Sequence, residues 1–432
     1  MPVYKKVKGT KDIFGAEMKL KKSLLKFIEE ILEAQFYEKI ETPILESKEL
    51  FVRSVEGSEI VQKEMYEFKD KADRDLVLRP EGTAPFVRAL IENRLIESGL
   101  RKFYYHGPMF RYEQPQSGRY RQFSQLGVEL VDNKNYLNDV EVISIAAEIL
   151  EILEVPYRLR INSIGDNNSR NAYETALYDY LLPYKDQLSE LSQKRLSEKR
   201  VLRILDDKKD SQLEFVKKAP LIQDYLSKES KEYFKKVTDQ LSELNLTIDP
   251  NLVRGLDYYD EVVFEFEIQL NQKWITVIGG GRYSNLISQL GGSDNSCVGF
   301  GMGLDRLIEA IAQQNPNELP EALQSNAIKV MIASNSDSEL VQSVLSTASM
   351  SIYNPSLLEA GVQIQMYVDY EKTKYIKIIN KAQKRNFDVL AILDEEKNKI
   401  VLKDMNSNVT KYVSDIDASV LDDALSEFIL DL

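Results

Sequence analysis

The sequence has a single cysteine, Cys297, and a single histidine, His106, among its 432 residues. One cysteine cannot form an intramolecular disulfide or a cysteine-rich zinc site, and one histidine excludes every mechanism that needs two imidazoles. No serine lies in a GxSxG motif, which disfavours a nucleophilic hydrolase. We interpret His106 as structural and expect a cytoplasmic protein without a resident metal.

Long apolar runs are also missing. No window of about 18 uncharged apolar residues occurs, and no apolar run follows the basic residues of the N-terminus, so neither a membrane span nor a signal peptide is expected. The 56 Lys and Arg against 69 Asp and Glu give a net charge of 56 minus 69, or −13. This charge argues against a sequence-independent DNA coat, but a large protein can still concentrate cations at a nucleic-acid site.

The patterns that are present predict a globular chain of two or three domains. Apolar residues recur at helical spacing over residues 17–36. Two antiparallel strand pairs are indicated, FYYHGPMFRY with FSQLGVELV and EVVFEFEI with KWITVIGG. The sequence therefore predicts a sheet packed against helices.

The composition of the chain changes at two further places. Residues 168–246 are rich in Lys, Glu, Leu and Tyr with almost no glycine, which indicates a helical insertion. The stretch NPNELPEALQSN resembles a linker. From Ala327 onward, the strands IKVMIAS, VQIQMYV and DVLAIL alternate with helices near residues 340–349 and 375–385, a βαβ pattern.

Arginines and glycines are the first signs of chemistry. Arg111 closes an aromatic strand, Arg254 adjoins a glycine, and Arg306 begins an apolar helix. Any one of them alone is equally consistent with a surface ion pair, but a guanidinium is also the usual partner of phosphate and carboxylate. The glycines of GGGRY and GFGMG allow a ligand to approach the backbone or allow tight strand packing, and neither motif is a dinucleotide fingerprint.

A pair of carboxylates, Glu265 and Glu267, alternates on one predicted strand face. Such a pair could carry acid–base chemistry, but a solvated or salt-bridged face is the preferred interpretation.

Together these segments resemble the class II aminoacyl-tRNA synthetases, and specifically the histidyl-tRNA synthetase family. KGTKDI resembles the N-terminal signature of the family, ETPILES its first class motif, RPEGTAP a pocket strand end, FRYEQPQSGRYRQFSQLGVEL the second class motif and GFGMGLDRL the third. LVRGLDYY and GGGRYSNLI are similar to the two motifs peculiar to the histidyl enzymes, and NFDVLAILDEEKNKIVLKDM resembles, weakly, the anticodon-binding domain.

The resemblance implies an α+β fold: a class II catalytic core of antiparallel sheet flanked by helices over residues 1–325, with a helical insertion at about 168–246, and an anticodon-binding α/β domain over 326–432. It implies a histidine–tRNA ligase that activates L-histidine with ATP and Mg²⁺ and transfers it to the 3′ end of tRNA(His), as a homodimer without membrane association. The alternative is the non-catalytic paralogue that regulates ATP phosphoribosyltransferase in histidine biosynthesis, a binding module.

The resemblance also implies residue roles. Arg111 and Arg254 would be catalytic. The histidine pocket would comprise Glu81, Gly82, Thr83, Arg111, Gln125, Glu129, Arg254, Tyr258, Tyr259 and Tyr283. The ATP site would comprise Arg111, Glu113, Arg119, Phe123, Gly301, Gly303 and Arg306, and tRNA would meet Gln114 and Gln116. Gln114 and Ser124 depart from the usual arginine and histidine of the second motif.

Overall fold

The computed structural model describes residues 4–54, 60–113, 119–205, 207, 209–253, 258–314, 319–324, 327–348 and 355–432. The chain forms two compact units, which divide between Gln324 and Ser325. The predicted linker NPNELPEALQSN lies partly outside the described residues. No helix in the described ranges is both long and apolar enough to cross a membrane.

The first unit is built on strands that alternate buried side chains between two faces. Its strands are β1 (Glu38–Lys39), β2 (Leu45–Ser47), β3 (Tyr66–Lys69), β4 (Asp75–Leu78), β5 (Lys102–Phe110), β6 (Gln122–Asp132), β7 (Tyr157–Gly165), β8 (Leu246–Ile248), β9 (Asp260–Leu270), β10 (Lys273–Tyr283) and β11 (Ser296–Gly303).

The first unit also contains helices, which cover both faces of its large sheet. They are α1 (Gly15–Ala34), α2 (Lys48–Ser54), α3 (Thr83–Glu92), α4 (Tyr136–Ile152), α5 (Asn167–Leu181), α6 (Glu190–Ser197), α7 (Leu202–Leu205), α8 (Glu214–Lys217), α9 (Lys228–Gln240), α10 (Leu286–Gln289) and α11 (Leu304–Gln314). Helices α5 to α9 follow β7 and precede β8, in the region of the predicted insertion.

The large sheet has eight strands in the order β1-β5-β6-β11-β10-β9-β7-β8. Its six central strands pair antiparallel, and only the two edge strands pair parallel. Both predicted strand pairs form as hairpins. The β9–β10 turn is made by Asn271 and Gln272, which both adopt positive φ, at 51° and 62°, the backbone of a tight hairpin turn.

One face of the large sheet packs against α1, α4, α11 and the insertion helix α9, and the other packs against α2, α3 and the insertion helices α5 to α8. Helix α1 buries Leu20, Leu24, Ile28 and Leu32 at steps of four. It ends at Ala34, two residues before the predicted end, because Phe36 turns to a φ of 63° and is exposed. A separate three-stranded antiparallel sheet has the order β2-β4-β3.

The second unit is a smaller α/β fold. Its strands are β12 (Ile328–Ser334), β13 (Ile364–Val368), β14 (Val389–Asp394), β15 (Lys399–Asp404) and β16 (Thr410–Ser414), and its helices are α12 (Glu339–Ala348), α13 (Pro355–Glu359), α14 (Tyr375–Lys384) and α15 (Ala418–Leu430). The sheet order is β13-β12-β14-β15-β16. The three strands β13, β12 and β14 are parallel, as the βαβ pattern predicts, and β15 and β16 extend the sheet antiparallel.

Candidate active site

A cavity of about 970 Å³ opens on the face of the large sheet that lies opposite α1 and α4, and the first turn of α11 contributes to its lining. Strands β6, β9, β10 and β11 form its floor, and the start of α3 forms one side. Its lining residues are Glu81, Thr83, Arg111, Glu113, Arg119, Tyr120, Phe123, Ser124, Gln125, Tyr258, Tyr259, Glu265, Leu270, Asn271, Lys273, Ile275, Thr276, Val277, Gly279, Gly301, Gly303, Asp305 and Arg306.

A buried carboxylate, Glu129 on β6, lies behind the cavity wall and is 1% exposed. Its Oε1 accepts hydrogen bonds from the Thr83 Oγ1 and the Tyr105 hydroxyl, both at 3.0 Å, and its Oε2 accepts one from the Tyr283 hydroxyl at 2.6 Å. Burial raises the pKa of Glu129 to about 7, although the three hydroxyl donors favour the ionised form. The site therefore holds a carboxylate whose charge is incompletely compensated.

A second carboxylate, Glu81, lies at the N-terminus of α3. Its oxygens accept the backbone N–H groups of Thr83 at 2.7 Å and Ala84 at 2.9 Å, which caps the helix and orients the carboxylate. Burial raises the pKa of Glu81, while these N–H groups and the nearby Arg111 oppose the shift. Two acidic groups thus face one polar region, which suits a ligand with a positive charge and N–H donors.

The Tyr105 ring fixes the distance between the start of α3 and strand β6. It lies in the space above Gly82 and Gly127, where a Cβ on either residue would overlap the ring. Gly127 pairs directly with Tyr105 across β5 and β6. Both glycines are therefore required by the close approach of an aromatic side chain whose hydroxyl donates to Glu129.

Glycines on β11 serve a similar purpose. A Cβ at Gly299 would overlap Oε2 of Glu129, and one at Gly301 would lie 2.6 Å from Nε2 of Gln125. The space above these glycines is thus occupied by the two β6 side chains. Gly303 differs, because a Cβ there would make only ordinary contacts.

Three arginines line the same cavity. Arg111 donates from Nε to the Pro80 carbonyl at 2.8 Å, and its guanidinium lies 5.3 Å from the Phe123 ring centroid. Arg119 forms an ion pair with Glu113 at 3.0 Å.

The third arginine, Arg306 on α11, donates to the Thr276 carbonyl at 2.7 Å. Burial lowers the pKa of its guanidinium, and Arg119 and Arg111 lower it further, while Glu113 opposes the shift. Like charges held close together in a partly buried site favour a bound anion, which would relieve their repulsion.

The segment that carries Phe123 is tied to both α11 and α1. The Ser124 backbone N–H donates to Asp305 at 2.5 Å, and Lys21 donates from Nζ to the Ser124 Oγ at 2.6 Å. Burial raises the pKa of Asp305, while this N–H and the nearby lysines oppose it. Ser124, the departure noted in the second motif, thus joins the floor of the cavity to two helices.

The arginine of GGGRY does not reach the cavity. Arg282 is 1% exposed and pairs with Asp139 of α4, which is 0% exposed. Since side chains alternate along β10, Arg282 points toward α4 while its neighbour Tyr283 points toward Glu129. The motif therefore combines a structural ion pair with a pocket residue.

Most of the predicted site residues lie together. Glu81, Thr83, Arg111, Glu113, Arg119, Phe123, Gln125, Tyr258, Tyr259, Gly301, Gly303 and Arg306 line the cavity. Gly82, Glu129 and Tyr283 lie just behind that lining, through the contacts given above. Arg254, Gln114 and Gln116 lie outside the described residues.

The sequence reasoning missed Tyr105, Thr276 and Asp305 as parts of the site. Tyr105 could have been found by strand alternation, since it is two residues from Phe103, which pairs with Glu129. Glu265 and Glu267 lie 3.6 Å and 3.1 Å from Arg160, which agrees with the interpretation of a salt-bridged strand face, and Glu265 also lines the cavity. His106 is not part of the lining and contacts Glu29 at 3.1 Å.

Comparison with known proteins identifies the family. A model described as histidyl-tRNA synthetase matches residues 9–307. A histidine–tRNA ligase of Lactococcus lactis is 46% identical over 337 residues, which is 76% of this chain and 77% of the relative. One from Malacoplasma penetrans is 40% identical over 426 residues, which is 95% of this chain and 96% of the relative.

Solved structures agree with this assignment. Apo histidyl-tRNA synthetase of S. aureus is 31% identical, covers 99% of both chains and has a TM-score of 0.77, which confirms the predicted α+β fold class. A structure from Bacillus halodurans described as an ATP phosphoribosyltransferase regulatory subunit/histidyl-tRNA synthetase is 21% identical with a TM-score of 0.61, and this likeness shows the fold alone. The matched family model and the relatives at 40% identity or more establish that this chain belongs to the histidyl-tRNA synthetase family.

Proposed function

We propose that this chain is a histidine–tRNA ligase, which joins L-histidine to ATP as histidyl-adenylate, releases pyrophosphate and transfers the histidyl group to the 3′ end of tRNA(His). One observation carries the proposal. A single cavity holds buried carboxylates and tyrosines together with the three arginines Arg111, Arg119 and Arg306. Such a cavity can hold a cationic amino acid next to a polyanionic nucleotide.

Selection of histidine is assigned to the carboxylate region. Glu81 and Glu129 supply acceptors for the α-ammonium group and an imidazole N–H, and the buried Tyr258 and Tyr259 supply walls. An amino acid without the ring nitrogens would leave these buried groups unpaired, which is a strong basis for discrimination.

Activation of the carboxylate is assigned to the arginines. Arg111 lies between the two regions, since its charge lowers the pKa of both Glu81 and Arg306. Together with Arg254, it would align the histidine carboxylate with the α-phosphorus. The carboxylate is already a nucleophile and needs no protein base. The barrier comes from charge on the phosphoryl oxygens, which fixed guanidinium groups stabilise.

The remaining ATP contacts follow the family roles. Arg119 and Arg306 would bind the β- and γ-phosphates, Glu113 the adenine amino group and Phe123 the base. Arg306 enters the site with its orientation fixed by the Thr276 carbonyl, so little of its freedom is lost on binding. We propose Mg²⁺ as part of the substrate, chelated by the triphosphate, and assign it no protein ligands.

Contacts to tRNA are assigned to two regions. Gln114 and Gln116 would meet the acceptor end, and the second unit, the predicted domain of residues 326–432, would bind the anticodon. A cytoplasmic location fits this role.

A homodimer is proposed through the first class motif. Ile44 and Leu45 within this segment are 41% and 51% exposed in the single chain, and Phe68 on β3 of the same three-stranded sheet as Leu45 is 40% exposed. An apolar surface is therefore available for a partner. Sedimentation velocity at micromolar concentration is expected to give a dimer, and a monomer would contradict it.

The test of the main proposal is exchange of labelled pyrophosphate into ATP. We expect exchange with histidine but not with threonine, proline or glycine. Arg306→Ala should lower the exchange rate by about 10- to 200-fold, as expected for losing a hydrogen bond to a charged group. The control is Arg74→Ala, which removes an arginine that is paired with Asp70 in the β3–β4 turn and should leave the rate unchanged.

The same assay separates the two functions considered from the sequence. If folded protein gives no exchange with histidine, ATP and Mg²⁺, the ligase is excluded and the regulatory paralogue becomes the better account. The identities of 40–46% to histidine–tRNA ligases favour exchange.

A further inference from the structure

The N-terminal residues 4–11, called here the N-terminal arm, lie against the strand end that follows the second class motif loop. The Arg121 backbone N–H donates to the Gly9 carbonyl at 2.7 Å, and the Thr10 hydroxyl donates to the Val7 carbonyl at 2.7 Å. Gly9 has a φ of 85°, and a Cβ there would lie 2.7 Å from the Arg121 Cγ. The arm is therefore held in a turn against Arg121, at a position that requires glycine.

The residue that anchors the arm is itself fixed near the cavity. The Arg121 guanidinium stacks 3.9 Å from the Tyr112 ring centroid and donates from Nε to the Glu113 carbonyl at 3.2 Å. The arm's Lys11 lies 5.9 Å from the ring centroid of Tyr120, which lines the cavity. The arm thus adjoins the cavity mouth.

The arm concentrates positive charge in an acidic protein. Residues 5–12 contain Lys5, Lys6, Lys8 and Lys11 with one acid, Asp12, so the segment carries 4 minus 1, or +3, while the chain carries −13. Lys11 pairs with Glu17. Lys5, Lys6 and Lys8 are exposed. Within the described ranges, none of these three has a carboxylate within ion-pair distance.

Two further features point to a nucleic-acid strand. Tyr4, directly before Lys5 and Lys6, is 90% exposed and available for stacking, and an aromatic ring next to cationic side chains is typical of single-strand contacts. Residues 114–118 of the motif loop, QPQSG, carry no charge. Cations for a phosphate backbone near this loop must therefore come from its neighbours, and the arm is one of them.

We propose that the N-terminal arm binds the phosphate backbone of the RNA whose 3′ end enters the cavity, with Lys5, Lys6 and Lys8 as phosphate contacts. This inference rests on the proposed ligase function and assigns part of its RNA-binding surface. The arm acts on RNA affinity and not on adenylation, because none of its lysines is among the residues that line the cavity.

The test compares Lys5→Ala/Lys6→Ala/Lys8→Ala with a control that removes the same charge from the β3–β4 turn, Lys69→Ala/Lys71→Ala/Arg74→Ala. Pyrophosphate exchange is measured first, then aminoacylation of a histidine tRNA transcript over a range of salt concentrations. We expect the arm variant to retain parental exchange and to raise the KM for tRNA about tenfold. The fall of log(kcat/KM) with log salt should become shallower by about 2 to 3, at roughly 0.7 to 0.9 for each of the three lost contacts.

A charge-preserving variant guards against a folding defect. Lys5→Arg/Lys6→Arg/Lys8→Arg should keep the parental KM and slope, since phosphate contacts need the charge. If the arm variant matches the control in both KM and salt slope, the arm does not bind the RNA and the inference is overturned. If the parent gives no histidine-dependent exchange, the ligase proposal fails and this inference fails with it.

Discussion

The buried ion pair between Arg282 and Asp139 gives the sharpest stability prediction. The guanidinium donates to the Asp139 carboxylate at 3.1 and 3.0 Å from Nε and 2.6 Å from Nη2. It also donates to the Ser296 hydroxyl at 2.6 Å and to the Asn135 carbonyl at 3.0 Å. Burial alone would lower the pKa of Arg282, but the adjacent carboxylate holds it above its usual value.

The perturbation is Arg282→Met, which keeps most of the side-chain volume and removes the charge. It leaves the Asp139 carboxylate 0% exposed and without its guanidinium partner. Removing one partner of a buried pair costs about 3 to 5 kcal/mol, since the remaining charge stays desolvated. We therefore expect the first unit to lose about 3 to 5 kcal/mol of unfolding free energy.

A second variant separates the cost of leaving the Asp139 carboxylate buried without a cation from the cost of the lost hydrogen bonds. Arg282→Met/Asp139→Leu removes both charges, and replacing a buried pair by apolar side chains is often neutral or better. The double variant should therefore be more stable than Arg282→Met alone. Its remaining loss reflects the hydrogen bonds to Ser296 and Asn135, and that from the Tyr233 hydroxyl to Asp139.

The assay is urea unfolding followed by tryptophan fluorescence. Trp274 is the one tryptophan in the sequence and lies on β10, so its emission reports the first unit. The control Arg74→Met breaks an exposed pair in the β3–β4 turn, which is worth at most about 1 kcal/mol. If Arg282→Met unfolds within 1 kcal/mol of the parent, the reasoning about the buried charge is refuted.

Three further predictions concern the pocket. Since burial raises the pKa of Glu129 from 4.5 to about 7, the folded chain binds a proton between these pH values that the unfolded chain does not. At pH 8 the parent should therefore have a lower free energy of unfolding than the Glu129→Gln variant. Urea titrations should show this difference in unfolding free energy shrinking by about 3 kcal/mol as the pH falls to 4.5. Gly127→Ala forces a Cβ against the Tyr105 ring, so it should lower the unfolding free energy by about 1 to 3 kcal/mol in thermal unfolding. The same variant should raise the KM for histidine in exchange assays. The control Gly303→Ala should be nearly neutral in stability. Cys297 is fully buried and its thiol pKa is raised by burial, so a chromogenic disulfide reagent should react with it only at the rate of unfolding; fast reaction in the native state would contradict its burial.

The sequence predicted several individual strands and helices, because the apolar patterns that indicate them lie within short segments of the chain. Alternation of apolar residues placed β5, β6, β9 and β10, and four-residue spacing placed α1. The strands β15 and β16 were not predicted, because they are short and their alternation is weak. The end of α1 was misplaced by two residues, since Phe36 continues the apolar pattern although its backbone turns.

The motifs named most of the residues that the structure brings together at the cavity, but they did not give the arrangement of those residues. The sequence named Glu129, Tyr283 and Arg306 as candidate site residues, because contiguous motifs of mixed chemistry are specific. It could not show that Tyr105 donates to Glu129, that Asp305 holds Ser124, or that the space above Gly301 is taken by Gln125. These contacts join residues from separate strands and helices.

The sequence by itself determined the composition of the chain, its strand and helix patterns and the motifs of its family. Tertiary structure alone decided which of two adjacent residues in GGGRY serves the pocket. Tyr283 contacts Glu129, 154 positions away in sequence, and Arg282 contacts Asp139, 143 positions away. The physical reason is that the pleat of a strand sends neighbours to opposite faces, while the register of distant strands and the packing of a distant helix fix what each face meets.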